Sequence, residues 1–474
     1  MQILTPDLCV IGAGSGGLSL AAGAAQMGAR VVLVEGGEMG GDCLNTGCVP
    51  SKALLAAGKA AQAMRSGAAF GIAPVEPTID FAAVKDHVAG IIASIAPHDS
   101  QERFEGLGVT VLRDWARFTA PREVQAGQTL IRARRFVIAT GSHAAIPPIP
   151  GIEEVPYLTN ETIFALRERP DHLLILGGGP IGMEMAQAHR RLGAAVTVIA
   201  RSRALGRDDP EAAAVVVAAL RAEGVTVLEG NDAVRFRAVP QGVEAVLADG
   251  ATLTGSHLLL AAGRVPALDR LDLAAAGVAT TEKGVRVGPN LRSSNRRVYA
   301  VGDVAGPFQF THTAAHQAWY AAVNALFGRF KRFKADYSVI PWATFTDPEV
   351  ARVGLSETEA REQGVPFEVT RYGIDDLDRA IADGTAHGFV KVLTVPGKDR
   401  ILGVTIVGTH AGDLLAEYVL AMKHGLGLNK ILGTIHTYPT LAEANKYAAG
   451  EWKRAHAPQK LLAWVEKFHA WRRG

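Results

Sequence analysis

Cysteine is scarce in this chain of 474 residues, which contains only Cys9, Cys43 and Cys48. So few cysteines exclude a small secreted scaffold held together by disulfides and favour a redox or nucleophilic role. The sequence also lacks an excess of either charge, since 49 lysines and arginines face 47 aspartates and glutamates. A near-neutral balance gives no reason to expect nucleic acid as a partner. No apolar run of 18 residues and no signal-peptide pattern occur, so we expect a cytoplasmic protein without a membrane span.

Glycine, in contrast, is abundant, with 52 residues that cluster where predicted strands end. The apolar fraction of 48% is enough for several buried cores, and the length suggests roughly three domains. Two segments share one pattern: an apolar strand, a glycine-rich turn, a helix and a second strand. This pattern predicts α/β domains with parallel, doubly wound sheets.

The first glycine-rich turn contains Gly12, Gly14 and Gly17, and the second contains Gly177, Gly179 and Gly182. In this context such glycines allow a tight turn and let backbone N–H groups and a helix N-terminus meet a pyrophosphate. The alternative is that the glycines serve only close packing of helix on strand. The presence of two copies, each between strand and helix, favours two dinucleotide sites.

The two copies differ at the end of their second strand, 23 positions after the first glycine. The first copy has Glu35, a carboxylate suited to accepting hydrogen bonds from ribose hydroxyls. The second has Ala200, so no carboxylate repels a ribose phosphate there. Arg201 and Arg203 follow, and their guanidinium groups can bind such a phosphate. We therefore expect FAD at the first site and NADPH at the second. The alternative is a solvated arginine turn with NADH bound.

The segment from Gly40 to Lys52 holds two cysteines five positions apart, Cys43 and Cys48. The pair can bridge within one irregular turn, and Lys52 lies one helical turn beyond Cys48. A cysteine at a helix N-terminus near a lysine favours the thiolate that disulfide exchange requires. Two isolated thiols make a poor metal site, so no resident metal is expected. Cys9, within a predicted buried strand, is expected to be inert.

The pattern Gly-Gly-x-Cys-x4-Cys-x-Pro-Ser-Lys between the two units resembles the flavin-linked pyridine nucleotide-disulfide oxidoreductases, which include dihydrolipoamide dehydrogenase, glutathione reductase and mercuric reductase. The resemblance covers essentially the whole chain. It implies that hydride from NADPH reaches a Cys43–Cys48 disulfide through FAD. It further implies that Cys48 is the thiolate beside the flavin, that Cys43 attacks substrate, and that Lys52 pairs with Glu184 near the flavin.

The same resemblance implies the remaining cofactor contacts. Ala139-Thr140-Gly141 resembles the exit strand of the flavin domain, Gly263-Arg264-Val265-Pro266 the return to it, and Val301-Gly302-Asp303 the loop that binds the ribityl chain. The expected cofactor residues beyond those of the turns are Lys52, Ala116, Thr140, Gly141, Ser142, Pro180, Ile181, Gly263, Asp303 and Thr311.

Near the C-terminus the chain departs from its disulfide-reducing relatives, which carry His-Pro-Thr-x-x-Glu across a dimer interface. In this chain Tyr438 stands at the histidine position of that motif, and Glu443 stands at its glutamate position. Only about one tyrosine in a thousand is ionised at pH 7, so Tyr438 is a poor base and His436 is the possible substitute. Asp42, where relatives usually have threonine, either raises the pKa of Cys43 by repulsion or is a solvated loop residue.

Mercuric reductases also carry a tyrosine at this position, but they need a C-terminal cysteine pair that this chain lacks, and Phe310 stands where they have a second tyrosine. We therefore predict an NADPH:disulfide oxidoreductase of the mercuric-reductase-like branch with an unassigned acceptor. Quinones and metal ions remain open as acceptors, because neither needs a base. The alternatives are a dihydrolipoamide dehydrogenase that uses NAD and, in a different class, a redox-sensing or electron-relay flavoprotein.

We expect a homodimer whose active site is shared across the interface. The predicted division is an FAD-binding domain (1–148 and 266–336), an NAD(P)-binding domain (149–265), an α+β dimerisation domain (337–457) and a basic amphipathic helix (458–474). The last segment places Leu461, Leu462, Val465, Phe468 and Trp471 near one stripe. Docking on the dimer body and binding to a membrane surface or partner protein are its two alternative roles.

Overall fold

The computed structural model describes residues 2–474. By their contacts these residues divide into two compact units. Unit 1 comprises the described residues up to Arg203 together with Gly224–Asp336, and unit 2 comprises Ala204–Glu223 together with Tyr337–Gly474. Neither unit is a continuous stretch of chain.

The helices are bounded as follows. They are α1 (Ser15–Gln26), α2 (Gly41–Asn45), α3 (Cys48–Arg65), α4 (Phe81–Ile95), α5 (Gln101–Gly106), α6 (Pro180–Arg191) and α7 (Pro210–Ala222). They continue with α8 (Thr311–Phe327), α9 (Glu357–Glu362), α10 (Asp378–Ala382), α11 (Ala411–Lys423), α12 (Leu428–Leu432), α13 (Glu443–Ala455) and α14 (Gln459–Arg473).

The strands of the first 300 residues carry the two nucleotide-binding units. They are β1 (Gln2–Leu4), β2 (Leu8–Ile11), β3 (Val31–Val34), β4 (Thr110–Leu112), β5 (Ala116–Ala120), β6 (Glu123–Ala126), β7 (Thr129–Ile131), β8 (Arg135–Ile138) and β9 (Ser142–Ala144). Next are β10 (His172–Leu176), β11 (Ala195–Ala200), β12 (Thr226–Glu229), β13 (Ala233–Val239), β14 (Gly242–Leu247), β15 (Thr252–Gly255) and β16 (His257–Leu260). Last are β17 (Arg264–Pro266), β18 (Thr280–Thr281), β19 (Gly284–Val285) and β20 (Val298–Ala300).

The remaining strands form one sheet of unit 2. They are β21 (Pro341–Thr344), β22 (Glu349–Gly354), β23 (Glu368–Gly373), β24 (Phe389–Thr394) and β25 (Ile401–Gly408).

The first glycine-rich unit lies in a parallel sheet of order β20-β8-β2-β3-β4. Strand β2 is central, with Leu8 opposite Val31 on one side and Arg135 on the other. All four residues of β2 and of β3 are buried, which explains their continuous apolar sequence. Helix α1 connects the two strands and packs on α8, so both helices cover one face of the sheet.

The second glycine-rich unit forms its own parallel sheet of order β12-β11-β10-β16. Leu173 of β10 lies opposite Val196 of β11 and His257 of β16. Helix α6 makes the crossover between β10 and β11. Two parallel sheets, each with a strand–turn–helix unit, confirm the predicted pair of Rossmann-like domains.

In unit 2 the strands form an antiparallel sheet of order β21-β22-β25-β24-β23. Helices α11, α12 and α13 cover one face of it and share its apolar core. The α+β character predicted for the C-terminal domain is thus confirmed. None of the helices within residues 2–474 is long and apolar enough to cross a membrane.

Unit 2 also includes α7, although this helix lies in sequence between two strands of the second parallel sheet. The buried ammonium group of Lys391 on β24 holds it by ion pairs of 3.0 Å to Asp209 and 2.9 Å to Glu211, and Glu357 lies 3.0 Å away. The compact units therefore do not coincide with the predicted domain limits, which stay a prediction.

Candidate active site

The first glycine-rich turn, between β2 and α1, is closed by backbone contacts that leave no room for side chains. Gly12 has a φ of +105°, and a Cβ there would lie 2.4 Å from the carbonyl oxygen of Ala139. A Cβ on Gly17 would lie 1.8 Å from the carbonyl oxygen of Gly12. These two positions therefore require glycine for the protein's own packing.

The second turn, between β10 and α6, repeats this geometry. Gly177 has a φ of +122°, and its Cβ would lie 2.3 Å from the carbonyl oxygen of Ala261. A Cβ on Gly182 would lie 2.0 Å from the carbonyl oxygen of Gly177. Pro180 and Ile181 begin α6 directly after the turn, and Ile181 is exposed.

The middle glycine of each turn behaves differently. A Cβ on Gly14 would approach nothing closer than the Cα of Gly41, at 4.0 Å, and a Cβ on Gly179 would meet nothing within 4 Å. The protein's own packing therefore does not require glycine at these positions. Close approach of a pyrophosphate to the backbone does require it, so both turns fit a dinucleotide.

The strand ends beside the turns differ as the sequence indicates. The Glu35 carboxylate accepts hydrogen bonds from the backbone N–H of Ala13, at 2.5 Å, and of Gly37, at 2.6 Å. These contacts fix it beside the first turn. In the second unit Ala200 is buried, whereas Arg201 and Arg203 are exposed after the end of β11.

The sulfur pair lies on a turn that packs against the first glycine-rich turn. Gly40 and Gly41 have φ values of +87° and +60°, and a Cβ on Gly41 would lie 2.8 Å from the Cα of Gly14. Helix α2 carries Cys43, and α3 begins at Cys48. The helix N-terminus at Cys48 favours negative charge on its sulfur.

Both cysteines of the pair are free thiols that hydrogen-bond each other. The hydrogen bond from Cys43 has the largest effect on Cys48 and, with help from Thr311 and Lys52, lowers the pKa of Cys48 to about 6. The same hydrogen bond, together with burial, raises the pKa of Cys43 well above its usual range. Cys48 is therefore the thiolate and Cys43 the thiol at neutral pH. Burial alone raises the pKa of Cys9, which lies in the core.

Two hydroxyl groups reach the sulfur pair. The Thr311 hydroxyl, at the start of α8, lies 3.3 Å from the sulfur of Cys48. The Ser15 hydroxyl, at the start of α1, hydrogen-bonds Cys43 and lowers its pKa. The family resemblance implied only a cofactor role for Thr311, and the sequence did not indicate Ser15, because neither residue stands near the cysteines along the chain.

Lys52 and Glu184 lie together, as the resemblance implied. The Lys52 ammonium donates a hydrogen bond of 2.8 Å to the Glu184 carboxylate, which is buried on α6. The pair therefore joins the helix of the sulfur pair to the helix of the second glycine-rich unit.

Asp42, beside Cys43, takes part in a network of polar contacts. Its carboxylate accepts hydrogen bonds from Thr46, at 2.8 Å, and from Asn160, at 2.7 Å, and pairs with Arg264 at 3.1 Å. The carboxylate is thus held by three polar partners while it stays exposed to solvent. Its charge raises the pKa of Cys48.

Arg264 continues this network toward the residues expected at the flavin. Its guanidinium donates to the Ser142 hydroxyl at 2.7 Å and lies 3.8 Å from the Asp303 carboxylate. Burial raises the pKa of Asp303, and the Ser142 hydroxyl donates to it.

Four further predicted cofactor positions lie in unit 1. The Thr140 hydroxyl donates to the carbonyl oxygen of Ala267, and Gly141 follows with a φ of +70°. Gly263 precedes β17, with a φ of +133°. The Ala116 side chain is buried in the core, so only its backbone is available to a ligand.

The C-terminal motif lies in unit 2, where Tyr438 and Glu443 have separate hydrogen-bond partners. The Tyr438 hydroxyl donates to Asp378 at 3.0 Å, and this carboxylate holds the pKa of the phenol above its usual range. Glu443 is buried and accepts instead from Tyr447 and from the N–H of Thr440.

The imidazole ring of His436 also has hydrogen-bond partners at both nitrogens. Its Nε2 lies 3.0 Å from the Glu417 carboxylate, its Nδ1 lies 3.1 Å from the carbonyl oxygen of Thr434, and its side chain is 6% exposed. Both ring nitrogens are engaged, so the geometry gives no support to His436 as a substitute acid or base.

The fold and the site define a class of protein: an oxidoreductase with two dinucleotide-binding turns around a pair of reactive thiols. Residues 6–318 match the family described as pyridine nucleotide-disulphide oxidoreductase, and residues 340–449 match its dimerisation domain. The chain belongs to this family, whose members are FAD-dependent enzymes that act on sulfur groups. The dimerisation domain indicates a homodimer.

Curated relatives come from two branches of the family. A mercuric reductase of Streptomyces lividans is 36% identical over 459 residues, covering 94% of this chain and 95% of its own. A dihydrolipoyl dehydrogenase of Thermus scotoductus is 36% identical over 457 residues, covering 94% of this chain and 97% of its own. The identities alone do not separate the branches.

Solved structures agree with this assignment. The HOCl-induced flavoprotein disulfide reductase RclA from Escherichia coli is 26% identical, has a TM-score of 0.85 and covers 94% of this chain and 99% of its own. The structure of its Cu(II) complex has a TM-score of 0.84 and covers 93% of this chain and 98% of its own. The chain is therefore a flavoprotein disulfide reductase of the mercuric reductase and lipoamide dehydrogenase family.

Proposed function

We propose that this enzyme oxidises NADPH and passes two electrons through the Cys43–Cys48 pair to a thiophilic metal ion, with Cu(II) as the acceptor to test first. The observation that carries the proposal is the asymmetric sulfur pair. The hydrogen bond from Cys43, together with Thr311 and Lys52, favours the thiolate of Cys48, while Cys43 remains a thiol. When bound, FAD supplies the two-electron exchange between nicotinamide and sulfur.

The chain's own residues prepare this exchange. Gly14 and Gly179 leave space for the two pyrophosphates, and Glu35 is fixed where it accepts hydrogen bonds from a ribose. Lys52, oriented by Glu184, places positive charge beside the Cys48 sulfur. A fixed cation stabilises developing negative charge because it needs no reorganisation during the reaction.

The preference for NADPH rests on the end of β11. Ala200 offers no carboxylate to repel a ribose phosphate, and the exposed Arg201 and Arg203 follow it directly. Guanidinium groups bind phosphate by paired, charge-assisted hydrogen bonds.

The class of acceptor is inferred from the C-terminal motif, which does not supply an acid or base. Disulfide exchange needs an acid or base for the leaving thiol, yet Tyr438 is hydrogen-bonded to Asp378 with a raised pKa. A metal ion needs no such proton. The relatives named mercuric reductase and the Cu(II) complex of RclA support this class of acceptor.

The proposed step balances in atoms and electrons. The Cys43 thiol and the Cys48 thiolate lose one electron each and form one S–S bond, and the Cys43 proton passes to solvent water. Two Cu(II) ions each gain one electron and leave as Cu(I). In the homodimer we expect the partner subunit to complete the active site.

The test measures NADPH oxidation by the FAD-loaded enzyme without oxygen, with Cu(II), Hg(II), lipoamide, oxidised glutathione and a quinone in turn. A Cu(I)-specific chelator reports the product. We expect Cu(II) to turn over fastest and both Cys43→Ser and Cys48→Ser to abolish turnover. Cys9→Ala, which removes the buried thiol of β2, is the matched control and should retain it. Copper reduction that survives both serine substitutions would overturn the proposal.

A dihydrolipoyl dehydrogenase is the second candidate, because the Thermus scotoductus relative is as similar as the mercuric reductase. Faster turnover with lipoamide than with Cu(II), and a preference for NAD, would establish it. Flavin reduction by NADPH without turnover of any acceptor would instead favour a redox sensor.

A further inference from the structure

The last helix, α14, exposes a large apolar surface. No residue of α14, all of which the structure describes, is buried. Trp464 and Trp471 are 62% and 77% exposed, and Leu461 and Phe468 are exposed as well. Isolated apolar residues on a surface are ordinary, but a contiguous aromatic patch marks an interaction site.

These side chains lie on one face. The positions of Leu461, Trp464, Val465, Phe468 and Trp471 repeat at helical spacing. The rings of Trp464 and Phe468 stack with centroids 5.9 Å apart, and those of Phe468 and Trp471 lie 6.2 Å apart. Trp464 thus belongs to the stripe, whereas Leu462 lies beside it. We call this stripe the aromatic face.

Positive charge lies beside the aromatic face and at its C-terminal end. By helical spacing, Lys460 and Lys467 stand beside Trp464 and Trp471. The Arg472 guanidinium lies 5.8 Å from the centroid of the Phe468 ring, and Arg473 follows it. Against these four cations the helix carries a single carboxylate, Glu466.

Two occupants could cover such a face: a second copy of the chain or a lipid surface. The match to the dimerisation domain ends at residue 449, before α14 begins. A cationic helix facing its own copy would also place like charges together. A basic border around tryptophan and phenylalanine instead complements anionic headgroups above an acyl layer.

We propose that α14 binds an anionic membrane surface, lying in its plane with the aromatic face toward the lipid. Its 15 residues span about 22 Å at 1.5 Å per residue, too short to cross a bilayer but suited to the interface. The enzyme would then be held peripherally, and this inference does not depend on which acceptor it reduces.

The test is co-sedimentation of the full-length, FAD-loaded enzyme with vesicles of phosphatidylcholine alone or mixed with phosphatidylglycerol. We expect sedimentation only with the anionic vesicles, with a blue shift of tryptophan emission. Combining Trp464→Ala, Phe468→Ala and Trp471→Ala should weaken binding by at least about tenfold, since most of the inserted area is lost. Lys460→Gln with Lys467→Gln should weaken it several-fold, as should added salt.

Matched controls lie elsewhere on the surface. Phe330→Ala removes an aromatic side chain that is 89% exposed, and Lys283→Gln with Lys398→Gln removes two exposed cations. None of these should change sedimentation, and activity with soluble acceptors should be equal in all variants. The proposal is overturned if the enzyme stays in the supernatant with both vesicles. It is also overturned if deletion after Pro458 leaves binding intact or separates the dimer into monomers.

Discussion

The two glycine-rich turns of unit 1 are built alike and end differently. In each, the first and last glycines are required because a Cβ would strike a backbone oxygen, and the middle glycine leaves space for a ligand. The strands that follow end on Glu35, which is fixed by two backbone N–H groups, or on Ala200 with two exposed arginines. Both turns therefore fit a pyrophosphate, and the proposed choice of nucleotide depends on the strand end.

The turns also reach the sulfur pair by different routes. Three residues after its first glycine, the first turn has Ser15, whose hydroxyl contacts Cys43, whereas the second turn has Pro180. The second unit contributes instead through Glu184, which orients Lys52 near Cys48. The first turn thus acts on Cys43, and helix α6 of the second unit acts on Cys48 through Lys52.

The largest loss of stability should come from adding a side chain where backbone atoms of either turn are in close contact. Gly17→Ala and Gly182→Ala would place a Cβ 1.8 Å or 2.0 Å from a backbone oxygen. We expect each to lower the free energy of unfolding by about 3 kcal/mol. Gly17→Ala should also lose FAD, measured by flavin absorbance, whereas Gly182→Ala should keep FAD and lose NADPH binding.

Gly23→Ala in α1 is the matched control, because nothing lies within 4 Å of its Cβ position. This substitution should leave stability unchanged or raise it by about 0.5–1 kcal/mol in thermal or denaturant unfolding. Equal behaviour of all three variants would show that the two turns are not closed by these contacts.

The second largest effect concerns the strand ends. Arg201→Ala with Arg203→Ala should lower kcat/KM for NADPH by at least about 100-fold, since each of the two charge-assisted contacts is worth about 1.5–3 kcal/mol. Values for NADH should change little. Adding Ala200→Glu would make the second strand end resemble the first and should reverse the preference. Steady-state kinetics with both nucleotides measures the ratio, and an unchanged ratio would contradict the assignment.

A smaller effect is expected at Lys52, the route of the second unit to the sulfurs. The Cys48 thiolate predominates above pH 6, because the pKa of Cys48 is lowered to about 6. Lys52→Met should raise the midpoint of Cys48 alkylation by iodoacetamide by about one pH unit. Asp42→Asn removes a charge that raises this pKa and should move the midpoint the other way.

The smallest effect is expected at Ser15, the route of the first unit. Ser15→Ala removes a hydroxyl that lowers the pKa of Cys43, so this pKa should rise further. Turnover should fall less than about threefold, in keeping with one neutral hydrogen bond. The alkylation midpoint of Cys48, measured in the same titration, should stay within error of the wild-type value.

The sequence allowed both parallel sheets, the glycine turns and the Lys52–Glu184 pair to be anticipated, because local patterns and the cysteine motif carry them. It could not reveal Ser15 and Thr311 beside the sulfurs, since residues 15 and 311 meet them only through the packing of α1 and α8. The hydrogen bond of Tyr438 to Asp378 likewise joins segments sixty positions apart. Long-range contacts of single hydroxyls leave no trace in spacing or composition.

The position of α7 has a practical consequence for dividing the molecule. The Lys391 ammonium ties residues 209 and 211 to the antiparallel sheet, although they stand in sequence between two strands of the second parallel sheet. A recombinant fragment of residues 149–265 would contain α7 but lack Lys391, the counter-ion of Asp209 and Glu211. A fragment that began at residue 337 would bury Lys391 without these two carboxylates. Gene truncations that treat either stretch as autonomous are therefore expected to yield insoluble product, and exchanges between relatives should move α7 together with the C-terminal sheet.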